Sequence, residues 1–193
     1  YDVSLTITTQ SGCQGTVTIP AYIEVGKVDL VNFTIDQSPE CAKRSIHFNN
    51  LSQVLTPHAP DEVTYLWNFG DGNTSTLPNP SHTYTTPGVY NVKLQVITST
   101  GCIDTASLDI TINSLPAVAA GPDRTICVND ATALQGTGGV YYQWSPANTL
   151  SDATIASPQA FPANTTVYNL TVTDANGCQG TSQVTVNVNA LPI

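Results

Sequence analysis

The strand-like run Tyr1-Asp2-Val3-Ser4-Leu5 returns as Tyr90-Asn91-Val92-Lys93-Leu94, Gly12-Cys13 returns as Gly101-Cys102, and Thr16 as Thr105, all at a spacing of 89 residues. A third copy runs Tyr168-Asn169-Leu170-Thr171-Val172 and then Gly177-Cys178-Gln179-Gly180-Thr181, with a shorter loop. Each copy reads as a strand, a Gly-Cys turn and a second strand. Repetition at a fixed period is the mark of a chain built from like supersecondary units. A second echo falls at the unit ends, where Ile112-Asn113-Ser114-Leu115-Pro116 matches Val188-Asn189-Ala190-Leu191-Pro192. Because Leu-Pro opens the stretch after residue 114, Leu191-Pro192-Ile193 is expected to open a further module, and residues 1–26 to be the last hairpin of a preceding one. The expected organisation is thus 1–26, 27–114, 115–190 and the start of a successor at 191–193.

Within these units the hydrophobic period is two. Tyr65, Trp67 and Phe69 alternate on one stripe, Tyr90, Val92, Leu94 and Val96 on a second, and Val184, Val186 and Val188 on a third, as half-buried strands require. Pro87-Gly88, Asp71-Gly72 and Asn176-Gly177 punctuate them with turn residues, and no segment offers a helical stripe. The fold class expected is all-β, as tandem Ig-like antiparallel β-sandwiches. Lys and Arg number 5 against 14 Asp and Glu, for a net charge of -9. Such a surface repels phosphate backbones and anionic headgroups, so nucleic acid is not expected as a partner. No apolar stretch reaches about 18 residues, and no membrane insertion is expected of this segment.

The run Trp67-Asn68-Phe69-Gly70-Asp71-Gly72, followed by Asn79-Pro80-Ser81-His82-Thr83-Tyr84 and Pro87-Gly88-Val89-Tyr90-Asn91-Val92, closely resembles the PKD (polycystic kidney disease) domain over residues 27–114, and residues 1–26 look like the tail of another. The resemblance implies a seven-stranded Ig-like sandwich used as an extracellular spacer or adhesive module. It gives Trp67, Phe69, Gly70, Asp71, Gly72, Pro80, His82, Tyr84, Gly88 and Tyr90 structural roles. The stretch with Tyr142-Gln143-Trp144-Ser145-Pro146 and Val172-Thr173-Asp174-Ala175-Asn176-Gly177-Cys178 is similar to Ig-like repeats that alternate with PKD domains in very large Bacteroidota surface proteins, including gliding adhesins of the type IX secretion system. Tyr1, Tyr90 and Tyr168, each at the entry to a repeated strand, are expected to act as tyrosine corners, ring buried and hydroxyl on nearby backbone.

Five cysteines in a chain of this character point to disulfides, whose connectivity sequence alone does not fix. The module boundaries favour Cys41 with Cys102 and Cys127 with Cys178. If Cys13 follows the same PKD pattern, its partner lies outside the chain. Metal binding is the competing reading, but no Cys-x-x-Cys or Cys and His cluster occurs. Asp71, Asn73 and Ser75 mimic the opening of a Ca²⁺ loop, yet Thr76 stands where Gly is required and His82 where the bidentate Glu belongs. A turn-forming role is favoured, with Ca²⁺ at Asp71 the alternative and no other cofactor or metal expected. Asp123, Asp130, Asp152 and Asp174 read as turn caps, and His47, His58 and His82 share no ligand spacing.

No Gly-x-Ser-x-Gly elbow, His-Glu-x-x-His, Walker loop or dinucleotide fingerprint is present. Gly136-Thr137-Gly138-Gly139 reads as a flexible connection, and Asp61-Glu62 beside Pro60 as a solvated loop rather than part of a glycosidase pair. Asp104-Thr105-Ala106 resembles the short O-glycosylation motif of exported Bacteroidota proteins, which makes Thr105 a candidate glycan site. Catalytic residues are therefore not expected. The expected function is a rigid spacer and adhesion segment of a large cell-surface or filament protein. Its partners would be neighbouring modules and, beyond them, surface glycans, other cells or like chains. The alternatives are an accessory region of a secreted polysaccharide- or protein-degrading enzyme, and a glycan-binding module using Tyr141 or Tyr142.

Overall fold

The computed structural model describes residues 2–20, 27–36, 40–55, 63–99 and 101–191. Every helix or strand among them is a β-strand, in the order β1 (Val3–Thr8), β2 (Gln14–Ile19), β3 (Lys27–Leu30), β4 (Phe33–Ile35), β5 (Ser45–Asn50), β6 (Gln53–Leu55), β7 (Val63–Asn68), β8 (Thr74–Ser75), β9 (Ser81–Thr83), β10 (Gly88–Thr98), β11 (Ile103–Ile112), β12 (Arg124–Cys127), β13 (Thr132–Ala133), β14 (Tyr141–Ser145), β15 (Gln159–Ala160), β16 (Thr166–Thr173) and β17 (Gln179–Asn189). The chain forms two compact units. One comprises Tyr1–Asp36, Ile46–His82 and Tyr90–Ile110, the other Gln37–Ser45, Thr83–Val89 and Thr111–Ile193. Three short pieces of the 27–114 stretch, 37–45, 83–89 and 111–114, thus group with the second unit.

In the first unit the sheets run β11-β10-β7-β8, β4-β5-β9 and β3-β6. Antiparallel pairing sets Leu94 opposite Trp67 and Val96 opposite Tyr65, which places the alternating apolar residues of both strands on one face. Trp67, Val92, Leu94 and Val96 are fully buried, with Phe33, Ile46, Phe48 and Phe69. Rings from two sheets meet there: Trp67 lies 5.0 Å from Phe33, edge-on, and 5.6 Å from Phe48. The indole N–H donates to the Leu77 carbonyl at 2.9 Å, so a large side chain enters the core without leaving a donor unmet.

The hairpin β1–β2 pairs Val3 with Ile19 and Leu5 with Val17. Hydroxyls are matched as well, Ser4 with Thr18 at 2.8 Å and Thr6 with Thr16 at 2.9 Å. Its strands are exposed throughout, Leu5 and Ile7 each to 63%. Val3, Leu5 and Ile7 are thus not among the buried residues that hold Trp67.

The second unit carries the sheet β12-β17-β16-β14 and the pair β13-β15, with Trp144, Leu170, Val172, Val184, Val186 and Tyr168 in its core. Trp144 stands opposite Leu170, and its indole N–H donates to the Ile155 carbonyl at 3.0 Å. The arrangement repeats that of Trp67, Leu94 and Leu77, so the internal repeat is structural as well as sequential. The glycine run at 136–139 is packed rather than flexible, against expectation. A Cβ on Gly139 would stand 2.5 Å from Val172 Cγ1 and 2.7 Å from the Thr173 carbonyl oxygen, and one on Gly138 would stand 2.6 Å from the Ala117 oxygen. Glycine is needed here because backbone runs against backbone.

Candidate functional site

The residues that carried the PKD resemblance gather around one turn. Gly70 has φ +82°, and a Cβ there would meet the Asn91 carbonyl oxygen at 2.9 Å, so the reversal needs glycine both for its conformation and for its room. Asp71 Oδ1 accepts the Asn73 backbone N–H and Oδ2 the Asn73 side-chain N–H, each at 3.0 Å. Oδ2 also pairs with His82 Nε2 at 2.7 Å. The His82 ring stacks on Phe69 with centroids 4.2 Å apart. The turn is thereby clamped to β9 and to the core below it. Burial works to raise the Asp71 carboxyl, but the hydrogen bonds of His82 and Asn73 outweigh it and hold the group below the ordinary aspartate range. Both carboxylate oxygens are engaged by donors, the pattern of a turn-forming aspartate. Among the described residues no group of three or more His, Cys, Asp or Glu could hold a metal ion.

Pro80 is buried, and its carbonyl accepts the Phe48 N–H at 2.9 Å. Tyr84 is 1% exposed, and its carbonyl accepts the Lys43 N–H at 2.7 Å. Gly72 has positive φ, and Gly88 opens β10. Tyr90 is only half-buried, so its ring is not the deep core element expected. Tyr168 is, at 0% exposed, although its hydroxyl meets the Thr149 side chain at 2.6 Å rather than backbone. Tyr1 lies outside the described residues, as do His58, Pro60, Asp61 and Glu62. His47 Nδ1 shares a hydrogen bond with Ser81 Oγ at 3.0 Å. Asp152 and Asp174 accept backbone N–H groups two residues on, as turn caps do, whereas Asp123 accepts the N–H of Thr185, 62 residues away, and so ties distant segments rather than capping a turn. Thr105 is exposed on β11. Tyr141 points to solvent while Tyr142 packs on the second core.

The cysteines depart from expectation. Cys41 is bonded to Cys178, 137 residues away, and the pairs Cys41 with Cys102 and Cys127 with Cys178 do not form. Cys41 sits in the segment 37–45, which belongs to the second unit together with the Gly-Cys turn of Cys178, and both residues are buried there. Cys102 is half-buried on its own hairpin turn in the first unit, while Cys13 and Cys127 are exposed. Pairing within a sequence module does not hold because Cys41 packs in the unit that contains Cys178 rather than with Cys102.

Two local structures present these cysteines. In the hairpin turns, the N–H groups of Thr9, Thr98 and Asp174 donate to the carbonyls of Cys13, Cys102 and Cys178 at 2.9, 3.0 and 3.0 Å. The returning Cys N–H is accepted by Thr9 Oγ1, Thr98 Oγ1 and Asp174 Oδ1. The second structure surrounds Cys41 and Cys127. Ala42 and Val128 donate to the Asn113 and Asn189 carbonyls, both at 2.9 Å, while Arg44 and Asp130 donate back to the Cys41 and Cys127 carbonyls at 3.2 and 3.0 Å. Between them stand Lys43 and Asn129, non-glycine residues with positive φ of 65° and 73°. The echo of Asn113 in Asn189 marked this turn in the sequence; the left-handed residue, being Lys in one copy and Asn in the other, did not.

The comparisons accord with this geometry. Residues 34–112 match the family model described as PKD domain. A microbial collagenase of Vibrio alginolyticus is 34% identical over 115 residues, 60% of this chain and 13% of the collagenase. Collagenase ColA of Bacillus cereus is 31% identical over 112 residues, 58% of this chain and 10% of that protein. The chain therefore spans about a tenth of the length of these relatives. Among solved structures, the PKD1 domain of Vibrio anguillarum Epp is 25% identical with a TM-score of 0.39, covering 47% of this chain and 99% of that one. Residues 34–112 are thus similar to the PKD domain, and further β-strands follow them.

Proposed function

We propose that this segment serves outside the cell as a non-catalytic spacer, in which β-modules tied by disulfide hold neighbouring parts of a larger protein apart. The observation that carries the reading is the Cys41–Cys178 bond. It joins the PKD stretch covalently to the module that follows, and such bonds persist in oxidising, extracellular settings. The PKD-type relatives fit that location. The core residues are consumed by packing, and the polar motif residues by turn formation, which leaves no assembled acid, base or nucleophile among those described.

Two placements follow from the same role. In the first the segment belongs to a large surface or filament protein of the adhesin kind, where modules in tandem set reach and stiffness. In the second it is an accessory region of a secreted protease, a placement favoured by the collagenases among its relatives. Mass spectrometry of the native protein separates them: more modules of this type on both sides support the first, a catalytic domain the second. The spacer reading itself is tested by incubating residues 1–193 with gelatin and with casein. No cleavage is expected, and cleavage abolished by a single substitution in this chain would overturn the reading.

A further inference from the structure

Cys41 and Cys127 occupy the same turn. Each lies beside the end of a final strand, bridged in parallel to Asn113 and to Asn189 respectively. Each is followed at the second position by a left-handed non-glycine residue. Each is closed by the same two backbone hydrogen bonds, at matching distances. Cys41 in this turn is bonded to the Gly-Cys turn of the next module. Cys127 in the same turn is exposed.

The surface beside Cys127 is formed accordingly. A concavity of about 440 Å³ there is lined by Val128, Val188, Asn189 and Leu191, together with Ala163 and Thr165. In sequence the first four are the counterparts of Ala42, Ile112, Asn113 and Leu115, and Ala42 and Asn113 are hydrogen-bonded to each other beside Cys41. At that position the hairpin bearing Cys178 packs closely onto the Leu-Pro joint, since a Cβ on Gly180 would stand 2.9 Å from the Pro116 carbonyl oxygen.

We propose that the Cys41–Cys178 bond is one rung of a repeating covalent ladder, and that Cys127 forms the next rung with the Gly-Cys turn cysteine of a further copy of this module in the same polypeptide. The occupant of the concavity is that hairpin. Three copies of the turn, at Cys13, Cys102 and Cys178, have the same hydrogen bonds, so the partner is a standard part of the repeat rather than a special one. Each rung joins two thiols through thiol–disulfide exchange. A thiol–disulfide oxidoreductase supplies its own disulfide, the Cys127 thiolate enters a mixed disulfide with it, and the partner thiolate displaces the carrier. The carrier leaves as a dithiol holding the two electrons and two hydrogens. The inference rests on the spacer reading for its oxidising location.

The test uses the full-length protein from its native source. Thiols are capped with iodoacetamide under denaturing conditions, and the unreduced chain is digested and mapped by mass spectrometry, with a parallel non-reducing gel. Expected are an uncapped Cys127 linked to a cysteine preceded by Gly and lying outside residues 1–193, together with a chain that migrates as a monomer. The ladder is overturned if Cys127 is recovered capped, if it is linked to Cys13 or Cys102 or to a cysteine of another context, or if the gel shows disulfide dimers that Cys127→Ser abolishes. A capped Cys127 beside an intact Cys41–Cys178 bond sinks the ladder and leaves the spacer reading standing. Loss of both bonds sinks the two together.

Discussion

Tyr168 offers the sharpest test of how the repeated strand is anchored. It is fully buried in the second core, whose members include Leu170 and Val184, and its hydroxyl is 2.6 Å from Thr149 Oγ1. Removing the ring in Tyr168→Ala should cost about 3 to 5 kcal/mol, the range for large-to-small core changes. Removing only the hydroxyl in Tyr168→Phe should cost about 1 kcal/mol, because half-buried Thr149 can turn its own hydroxyl to water. Tyr90, the same position one repeat earlier but half-buried, should lose about half as much as Tyr168 on truncation, roughly 1.5 to 2.5 kcal/mol. The phenol adds a pH signature. Burial pushes the Tyr168 hydroxyl up from its ordinary value, against the opposing pull of the Thr149 bond. Its contribution is therefore fully present below the unfolded value of about 10 and is lost as pH rises through the folded one. The alkaline fall in stability should be shallower in Tyr168→Phe than in the parent. Hydrogen exchange read on peptides from β16 and β10 measures the two units separately. A Tyr90→Ala loss equal to or greater than that of Tyr168→Ala would refute the ranking by burial.

Three further outcomes follow from the same geometry. Cys178→Ser opens a loop of 137 residues and should destabilise the second unit by about 5 kcal/mol in the chain-entropy account; urea midpoints unchanged from the oxidised parent would contradict it. Gly139→Ala drives a methyl against Val172 and the Thr173 carbonyl, and should cost about 1 to 3 kcal/mol as overpacking does; a thermal melt at or above the parent's would show that this joint is loose. Asp71 has its carboxyl held low in the fold, so its contribution is present above the unfolded value of about 3.9 and lost as pH falls through the folded one; Asp71→Asn should flatten the acid limb of stability below about pH 4, and an unaltered limb would mean that the turn is not clamped by that charge.

Much of this architecture was legible because its causes are local. Alternation in β7, β10 and β17 is produced by the pleat itself, so Trp67, Leu94 and Val186 could be assigned to cores without coordinates. Gly70 and Asp71 were readable because a tight reversal restricts which residues can stand there. Alternation, however, assigns a face and does not say what covers it. Val3, Leu5 and Ile7 have the pattern of Val92, Leu94 and Val96, yet the first set is exposed and the second buried. Tyr90 and Tyr168 likewise share a motif position and differ in depth, because depth depends on the neighbouring sheet rather than on the strand.

The disulfide is not legible in the sequence for a deeper reason. Pairing two cysteines needs their Cα atoms within about 7 Å, and proximity of that kind is a property of assembled segments. Cys41 is separated from its partner by a whole module of sequence and sits 5.7 Å from it, Cα to Cα. Its turn, pinned by the Asn113 carbonyl and by a left-handed Lys43, fixes the direction in which the sulfur leaves the chain, and the Gly-Cys turn fixes the direction from which its partner arrives. Both halves of the bond are therefore set by backbone hydrogen bonds that recur, those of the Cys41 turn at Cys127 and those of the Gly-Cys turn at Cys13 and Cys102, while the sulfur chemistry only seals the outcome. The consequence for a spacer is mechanical. With 137 residues closed between the two sulfurs, tension applied to the chain ends passes through the bond, and roughly 450 to 490 Å of potential extension is withheld. In the proposed spacer role, the residues between Cys41 and Cys178 would stay closed under such tension until the disulfide is reduced.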